Sequence, residues 1–350
     1  MNIKFLTENA DQIWHRLRWQ DGIKCVECGS DEYYELGDGR YKCKKCGKIF
    51  SDTTNTLLHH SHLDKWQWLW GIYKMSNSKG ISTIELAKDL NVNYTTAHIM
   101  QQKIRYAMDE NKGLSGSVRM DEAYIGGWSA MHFKKKMKYL ESNDYLDEDG
   151  RYTKSTLLAA VSKKKHHIVS IVGEDGYTKL IHTPNPITKD IIKQILKKYD
   201  KGIDMLVTDE SYLYRGLKYK VEQSNHTKAV FITKSGLSSN VCENRFSWVK
   251  RKWNGIYTHT SEKYLQLYLN QMSFAINNKE KTVQERFETL CVLCAKTHVT
   301  VQQIRDFDYL KGFKVSNVYK EEKEQAQYII ERLGGLVQSV ETKHKMKFHS

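Results

Sequence analysis

The sequence predicts a multidomain α/β protein in four parts. Three observations carry that prediction: two CxxC pairs near the start, a capped pair of short helices after them, and two apolar strands that each end in acids. Read in order they make an N-terminal segment with a metal-stapled ribbon over 1–62 and a helical module over 63–112. An α/β domain with a mixed sheet flanked by helices follows over 117–306, then a charged helical extension over 307–350.

At 350 residues the chain can bury a sizeable core and divide into two or three domains. Its 55 Lys and Arg outnumber 41 Asp and Glu, giving a formal net charge of +14, in the company of 21 Tyr and 8 Trp. That balance suits a polyanionic partner, nucleic acid first. No apolar run reaches the length of a membrane span, and the polar opening MNIKFLTENADQ does not read as a signal peptide. Four of the seven cysteines are grouped, and Cys242, Cys291 and Cys294 stand apart. An odd count so arranged argues for a reducing compartment and metal binding rather than a disulfide framework.

Cys25, Cys28, Cys43 and Cys46 form two CxxC knuckles with fourteen intervening residues, each followed by a glycine, Gly29 or Gly47. Two knuckles aim four thiolates at one ion, the pattern of a structural Zn²⁺ in a zinc ribbon. YYEL and YKC read as its strands around the Gly37-Asp38-Gly39 turn. The later pair, Cys291 and Cys294, lies on a helical stretch and reads as two small buried residues. HHSHL (His59, His60, His62) reads as a polar connection.

Over 64–75 the spacing predicts a helix burying Trp66, Leu69, Trp70 and Tyr73 on one face. Ser82 and Glu85 open the next helix as a capping box, which ends near Leu90, and Asn93 caps another after the NVN turn. This reads as a helix-turn-helix, whose second helix offers Thr95, Thr96, Gln101, Lys103 and Arg105 to DNA. The polar, glycine-bearing stretch 111–117 marks a domain boundary.

VRMDEAYIGG then begins the α/β domain as a strand carrying Asp121. TLLAAVS (156–162) and HIVSIVG (167–173) read as a hairpin around KKKHH, 187–200 as an amphipathic helix, and 203–214 as a buried strand bearing Asp209. Acid-bearing strand, hairpin, helix, acid-bearing strand is the ribonuclease-H-like order, which makes the acids neighbours. A helix over 240–253 follows, with Asn240, Glu243, Ser247 and Lys250 on its polar stripe, Val241, Trp248 and Val249 on its apolar side, and the basic run Lys250-Arg251-Lys252. Asp121, Asp209 and Glu243 are therefore expected to converge as catalytic residues. Three carboxylates packed together repel. A pair of Mg²⁺ ions, with Mn²⁺ as a substitute, would offset that repulsion and serve an in-line phosphoryl displacement. Glu122 and Glu210 are expected to point to the opposite side of their strands.

Taken together, MDEAYIGG, VTDESYLY, NVCENRFSWVKRKWNGIYTHTSEKYLQLYLNQMSFAINN and ERFETL, behind the ribbon, resemble the insertion-sequence DDE transposases related to the Merlin elements, an ISXO-like group. The likeness covers residues 5 to 306. It implies that Asp121, Asp209 and Glu243 form the catalytic triad, that Asn240 and Lys250 match the accompanying Asn and basic positions, and that His259 matches the motif's histidine. With Arg251 these are expected DNA contacts. Val26 stands where the family often has proline and Asn55 where glycine is usual, while Gln271 and Ala275 replace a usual acid and arginine.

The resemblance implies a transposase that binds terminal inverted repeats in double-stranded DNA, cleaves the ends and joins them to target DNA as a homodimer or larger assembly. The basic loops MHFKKKMK and SKKKHH would touch phosphates. Its place would be the cytoplasm, on the nucleoid, in a bacterium, or the nucleus in a eukaryote. A domesticated DNA-binding regulator without activity is the alternative, and a sequence-nonspecific nuclease fits the ribbon and helix-turn-helix less well.

Overall fold

The computed structural model describes residues 2–77, 79–125, 166–209, 211–224, 233, 236–238, 240–257 and 260–314. Two compact units emerge, one from 1–112, 175–180 and 254–309, the other from 113–174, 181–253 and 310–350. The first departs from the expected division at 117–306, because residues 254–309 fold with the N-terminal helices.

The first unit begins with α1 (Ile3–Arg18), capped by Asn2, whose side chain accepts from the Phe5 N–H at 2.8 Å. Leu6, Ala10, Trp14 and Leu17 make its buried stripe. The ribbon follows as β1 (Tyr33–Glu35), β2 (Tyr41–Cys43) and β3 (Ile49–Phe50), an antiparallel sheet in that order. Asp52 ties it to α1: its backbone oxygen accepts from Trp14 Nε1 at 3.0 Å and its carboxylate from Trp19 Nε1 at 2.8 Å.

The helix α2 (Lys65–Ser76) starts at a capping box between Asp64 and Gln67. Its deepest residues are Trp68, Leu69, Ile72 and Met75, whereas Trp66, Trp70 and Tyr73 are only half-buried. The expected face is thus rotated, since α2 is covered by α1 on one side and by α4 (Tyr94–Ala107) on another. Gly71 allows that second approach, for a Cβ there would lie 2.7 Å from Met100 Sδ.

The two helices expected on either side of the NVN turn form there. Ser82 accepts from the Glu85 N–H at 3.2 Å to begin α3 (Thr83–Leu90). Asn91 ends it in the left-handed region at φ 51°, and Asn93 accepts from the Thr96 N–H at 2.7 Å to begin α4. The core is completed by α7 (Leu265–Asn277), α8 (Val283–Lys296) and α9 (Val301–Arg305), all in contact with α4. Cys291 and Cys294 are buried in that core, as their helical position suggested.

This enclosure corrects the expected surface of α4. Gln101 (1 % exposed), Lys103 (7 %) and Arg105 (1 %) are inside the unit and cannot reach DNA. Gln101 accepts from Thr83 Oγ1 at 2.8 Å and donates to the Ile81 carbonyl at 3.1 Å. Arg105 donates from Nε to Gln271 Oε1 at 2.9 Å and lies 3.9 Å over the Tyr268 ring, with one terminal nitrogen unsatisfied. A buried guanidinium facing an amide lacks a compensating charge. Gln271→Glu, which restores the acid usual in the resembling family, is therefore expected to stabilise the protein by about 1–3 kcal/mol. A rise of several degrees in the thermal midpoint would show it, and a fall would refute it.

A five-stranded sheet of order β6-β5-β4-β7-β8 makes up the second unit's strands, apart from the first three residues of β6, which fall in the 175–180 segment. Its strands are β4 (Leu114–Ile125), β5 (His166–Val172), β6 (Thr178–Thr183), β7 (Asp200–Thr208) and β8 (Lys220–Gln223). β4 is antiparallel to β5 and parallel to β7, and β7 is parallel to β8. The hairpin partner expected at 156–162 lies outside the described residues, as do both basic loops apart from His166 and His167; β5 is followed directly by β6 across residues 173–177. Between β6 and β7 runs α5 (Lys189–Tyr199), capped by Thr188, with Ile191, Ile192, Ile195, Leu196 and Tyr199 buried.

The helix α6 (Asn240–Gly255) buries Cys242, Phe246, Val249 and Trp253. Of the apolar side expected, only Val249 belongs to that stripe, while Val241 and Trp248 are half-buried. The heptad-like spacing of Cys242, Phe246, Val249 and Trp253 explains the choice, because those four share one face. The polar stripe Asn240, Glu243, Ser247 and Lys250 is exposed.

Candidate metal and DNA sites

Both ribbon knuckles have the same local geometry. The N–H of Gly29 returns to the Cys25 carbonyl at 2.9 Å, and that of Gly47 to the Cys43 carbonyl at 3.0 Å. Both glycines sit in the left-handed region, at φ 73° and 74°, which an L side chain rarely adopts. The turns bring Cys25 and Cys46 sulfurs to 3.5 Å and Cys28 and Cys43 sulfurs to 3.6 Å. Tetrahedral Zn–S bonds of about 2.3 Å require sulfurs about 3.8 Å apart, so the four cysteines fit a structural zinc. His59, His60 and His62 join no metal-ligating group among the described residues.

The second cluster stands where β4 outruns its parallel neighbour. Pairing of β4 with β7 stops at Arg119↔Val207, while pairing with β5 continues to Ile125↔His166. Asp121 and Glu122 therefore occupy a strand edge open toward the end of β7, where Asp209 lies. One carboxylate oxygen from each of Asp121, Glu122 and Asp209 falls within 4.8 Å of the others.

Neighbouring residues of a strand point to opposite faces. Asp121 leaves on the face of α6, where the buried Cys242 thiol contacts the carbonyl of Ser170, the register partner of Asp121. Burial first, then the charge of Asp121, pushes that thiol up to about 12. Glu122 leaves on the other face, beside Tyr214. The open edge lets both acids turn toward Asp209, and the extra methylene of glutamate spans the remaining distance. Glu122 thus leaves on the opposite side, as alternation predicts, and still brings one oxygen within 4.8 Å of those of Asp121 and Asp209.

Asp209 is fixed by its own turn. The Ser211 N–H donates to its Oδ1 at 3.0 Å. From the end of β8, Gln223 Nε2 donates to the carbonyls of Asp209 at 2.9 Å and Ser211 at 3.2 Å. Sequence reasoning overlooked Gln223, Tyr214 and the reach of Glu122; the DE doublet was the visible signal for the last.

Burial, followed by the charges of Asp209 and Asp121, pushes the Glu122 carboxyl up to about 8. Its Oε1 is buried and unsatisfied. Tyr214, fully buried, has its hydroxyl beside that carboxyl without closing a well-formed hydrogen bond. A crowded, desolvated set of hard oxygens with an orphaned acceptor fits a divalent cation such as Mg²⁺.

Glu243 is exposed on the first turn of α6 and stands outside this carboxylate group, although the adjacent Cys242 packs at the level of Asp121. Asn240, Lys250 and Arg251 are exposed along the same helix. Thr95 is exposed and Thr96 half-buried at the start of α4, where Tyr94 is 56 % exposed. His259 and Glu210 lie outside the described residues.

Comparison with known proteins agrees with this architecture. The ISXO2-like transposase domain matches residues 113–277, and the transposase zinc-ribbon domain matches residues 7–49. A protein of Halobacterium salinarum, described as an uncharacterized protein in transposable element ISH50, is 28 % identical over 127 residues, 35 % of this chain and 43 % of its own. The match thus spans less than half of that relative's length. The two matches follow one another along the chain, so that it is similar to the ISXO2-like transposases over 113–277, behind a segment similar to their zinc ribbon.

Proposed function

We propose that the protein is a DNA transposase that cleaves the ends of its element and joins the 3′-OH ends to target DNA. The observation that carries this reading is the meeting of Asp121, Glu122 and Asp209 where β4 runs on past its parallel neighbour β7, within the matched transposase domain. Asp121 and Asp209 would hold the cations, and Glu243, on the first turn of α6, would complete the triad once DNA and metal are bound. Bound Mg²⁺, or Mn²⁺ in its place, would supply the charge that activates the attacking oxygen and steadies the leaving one in an in-line displacement. Water is the nucleophile in the first displacement and the freed 3′-OH in the second.

The rest of the chain selects and holds the DNA. Asn240, Lys250 and Arg251, exposed along α6, would offer a ridge suited to phosphates. Base contact by the helix-turn-helix falls to the exposed first turn of α4, with Thr95 and Thr96, as expected where a recognition helix enters the major groove by its N-terminus. Two element ends must be held together, so the working form is a homodimer or larger assembly on terminal inverted repeats. Among the described residues no helix is long and apolar enough to cross a membrane. The proposed setting is on DNA, at the nucleoid in a bacterial cytoplasm or in the nucleus of a eukaryote.

The test is Mg²⁺-dependent nicking of a duplex carrying the element's terminal repeat, with Asp121→Asn alongside. Wild-type cleavage that the substitution abolishes is the expected result. Specific binding without cleavage by the wild type would instead identify a regulator.

A further inference from the structure

We infer that Glu122 is a ligand of the divalent cation in this site and that Tyr214 positions it, so that the cation is held by a doublet from one strand edge and Asp209 from the next. This rests on the reading of the site as a divalent-cation centre. Three observations support it independently of any motif. The Glu122 oxygen lies within 4.8 Å of ligand oxygens from both Asp121 and Asp209. Six-coordinate Mg²⁺ places its ligand oxygens about 3–4.2 Å apart, so a small contraction suffices. The buried Oε1 of Glu122 has no well-formed hydrogen bond, and leaving a buried carboxylate unsatisfied is costly unless a cation compensates it. Lastly, Tyr214 is wholly buried with its hydroxyl unsatisfied and turned toward this same group, which leaves one donor ready for the oxygen of Glu122 that faces away from the ion.

The arrangement also divides the labour between the two faces of β4. Asp121 comes from the face of α6, which carries Glu243, whereas Glu122 comes from the face of Tyr214. The cation is then gripped around the strand edge from both sides. Glu243, arriving from the exposed side, remains available to the DNA-facing half of the centre.

Mn²⁺ binding to the full-length, zinc-loaded protein without DNA tests this, followed by calorimetry and by thermal melting. Wild type, Asp121→Asn, Glu122→Gln and Tyr214→Phe are compared. Glu122→Gln is expected to weaken Mn²⁺ binding tenfold or more while raising the melting temperature of the Mn²⁺-free protein, because one mutually repelling carboxylate is gone. Tyr214→Phe is expected to weaken Mn²⁺ binding two- to fivefold with little change in the Mn²⁺-free melt. If Glu122→Gln binds Mn²⁺ as tightly as wild type while Asp121→Asn does not, the assignment of Glu122 fails and the cation site itself stands. A Glu122→Gln variant that melts lower with unchanged Mn²⁺ affinity would make Glu122 merely structural. Absence of saturable Mn²⁺ binding by wild type would overturn the site and this inference together.

Discussion

Replacing Asp209 by asparagine is expected to lower Mg²⁺-dependent cleavage of a terminal-repeat duplex by about 10³-fold or more, equivalent to roughly 4 kcal/mol of barrier. The substitution is nearly isosteric. Its side-chain oxygen can still accept from the Ser211 N–H, and Gln223 grips the backbone of the turn rather than the carboxylate. The fold should therefore be preserved, with unchanged circular dichroism and unchanged binding to the repeat. What disappears is one negative charge among three that face each other. A loss of this size with intact DNA binding separates a catalytic carboxylate from a structural one. Retention of more than a tenth of wild-type cleavage would remove Asp209 from the chemistry.

The second large effect concerns the ribbon. Four cysteines hold it with little else inside, because its buried cluster is Cys25, Tyr41, Cys43 and Phe50 with Trp19, Ile23, Val26 and Tyr33 around it. So small a core does not fold unaided, and structural zinc in comparable modules contributes about 10–16 kcal/mol of apparent binding free energy near neutral pH. Chelation, or Cys28→Ser, is expected to release one zinc per chain and to abolish hydrogen-exchange protection across β1–β3. The helical core of the first unit, with Leu6, Trp14, Leu69, Ile72 and Ile104 buried, should keep its protection. Protection of the ribbon that survives complete removal of zinc would contradict this.

Much of the architecture was legible because its causes are local. The CxxC spacing and following glycines specify a knuckle within five residues. Ser82, Asn91 and Asn93 mark helix ends through hydrogen bonds and backbone angles that depend on immediate neighbours alone. The strands bearing Asp121 and Asp209, and the helix before the second, follow from apolar runs read one at a time, whereas β6 and β8 were not legible as strands. Burial on α4 was not legible. Its Gln101, Lys103 and Arg105 look like a DNA-facing row, yet Gln101 is held by positions 83 and 81, Arg105 by 271, and Lys103 lies over the Trp68 ring, all brought together by packing.

By itself, then, the sequence determined the four-cysteine zinc ribbon, the capped helix pair and the pairing of two acid-bearing strands, each set by short-range chemistry and pattern. Tertiary structure alone decided which acids meet and which polar side chains face outward. Glu122 enters the cluster because β7 stops pairing at Val207 and leaves β4 with an open edge. The end of a ladder depends on two strands at once, and no period in either of them encodes it.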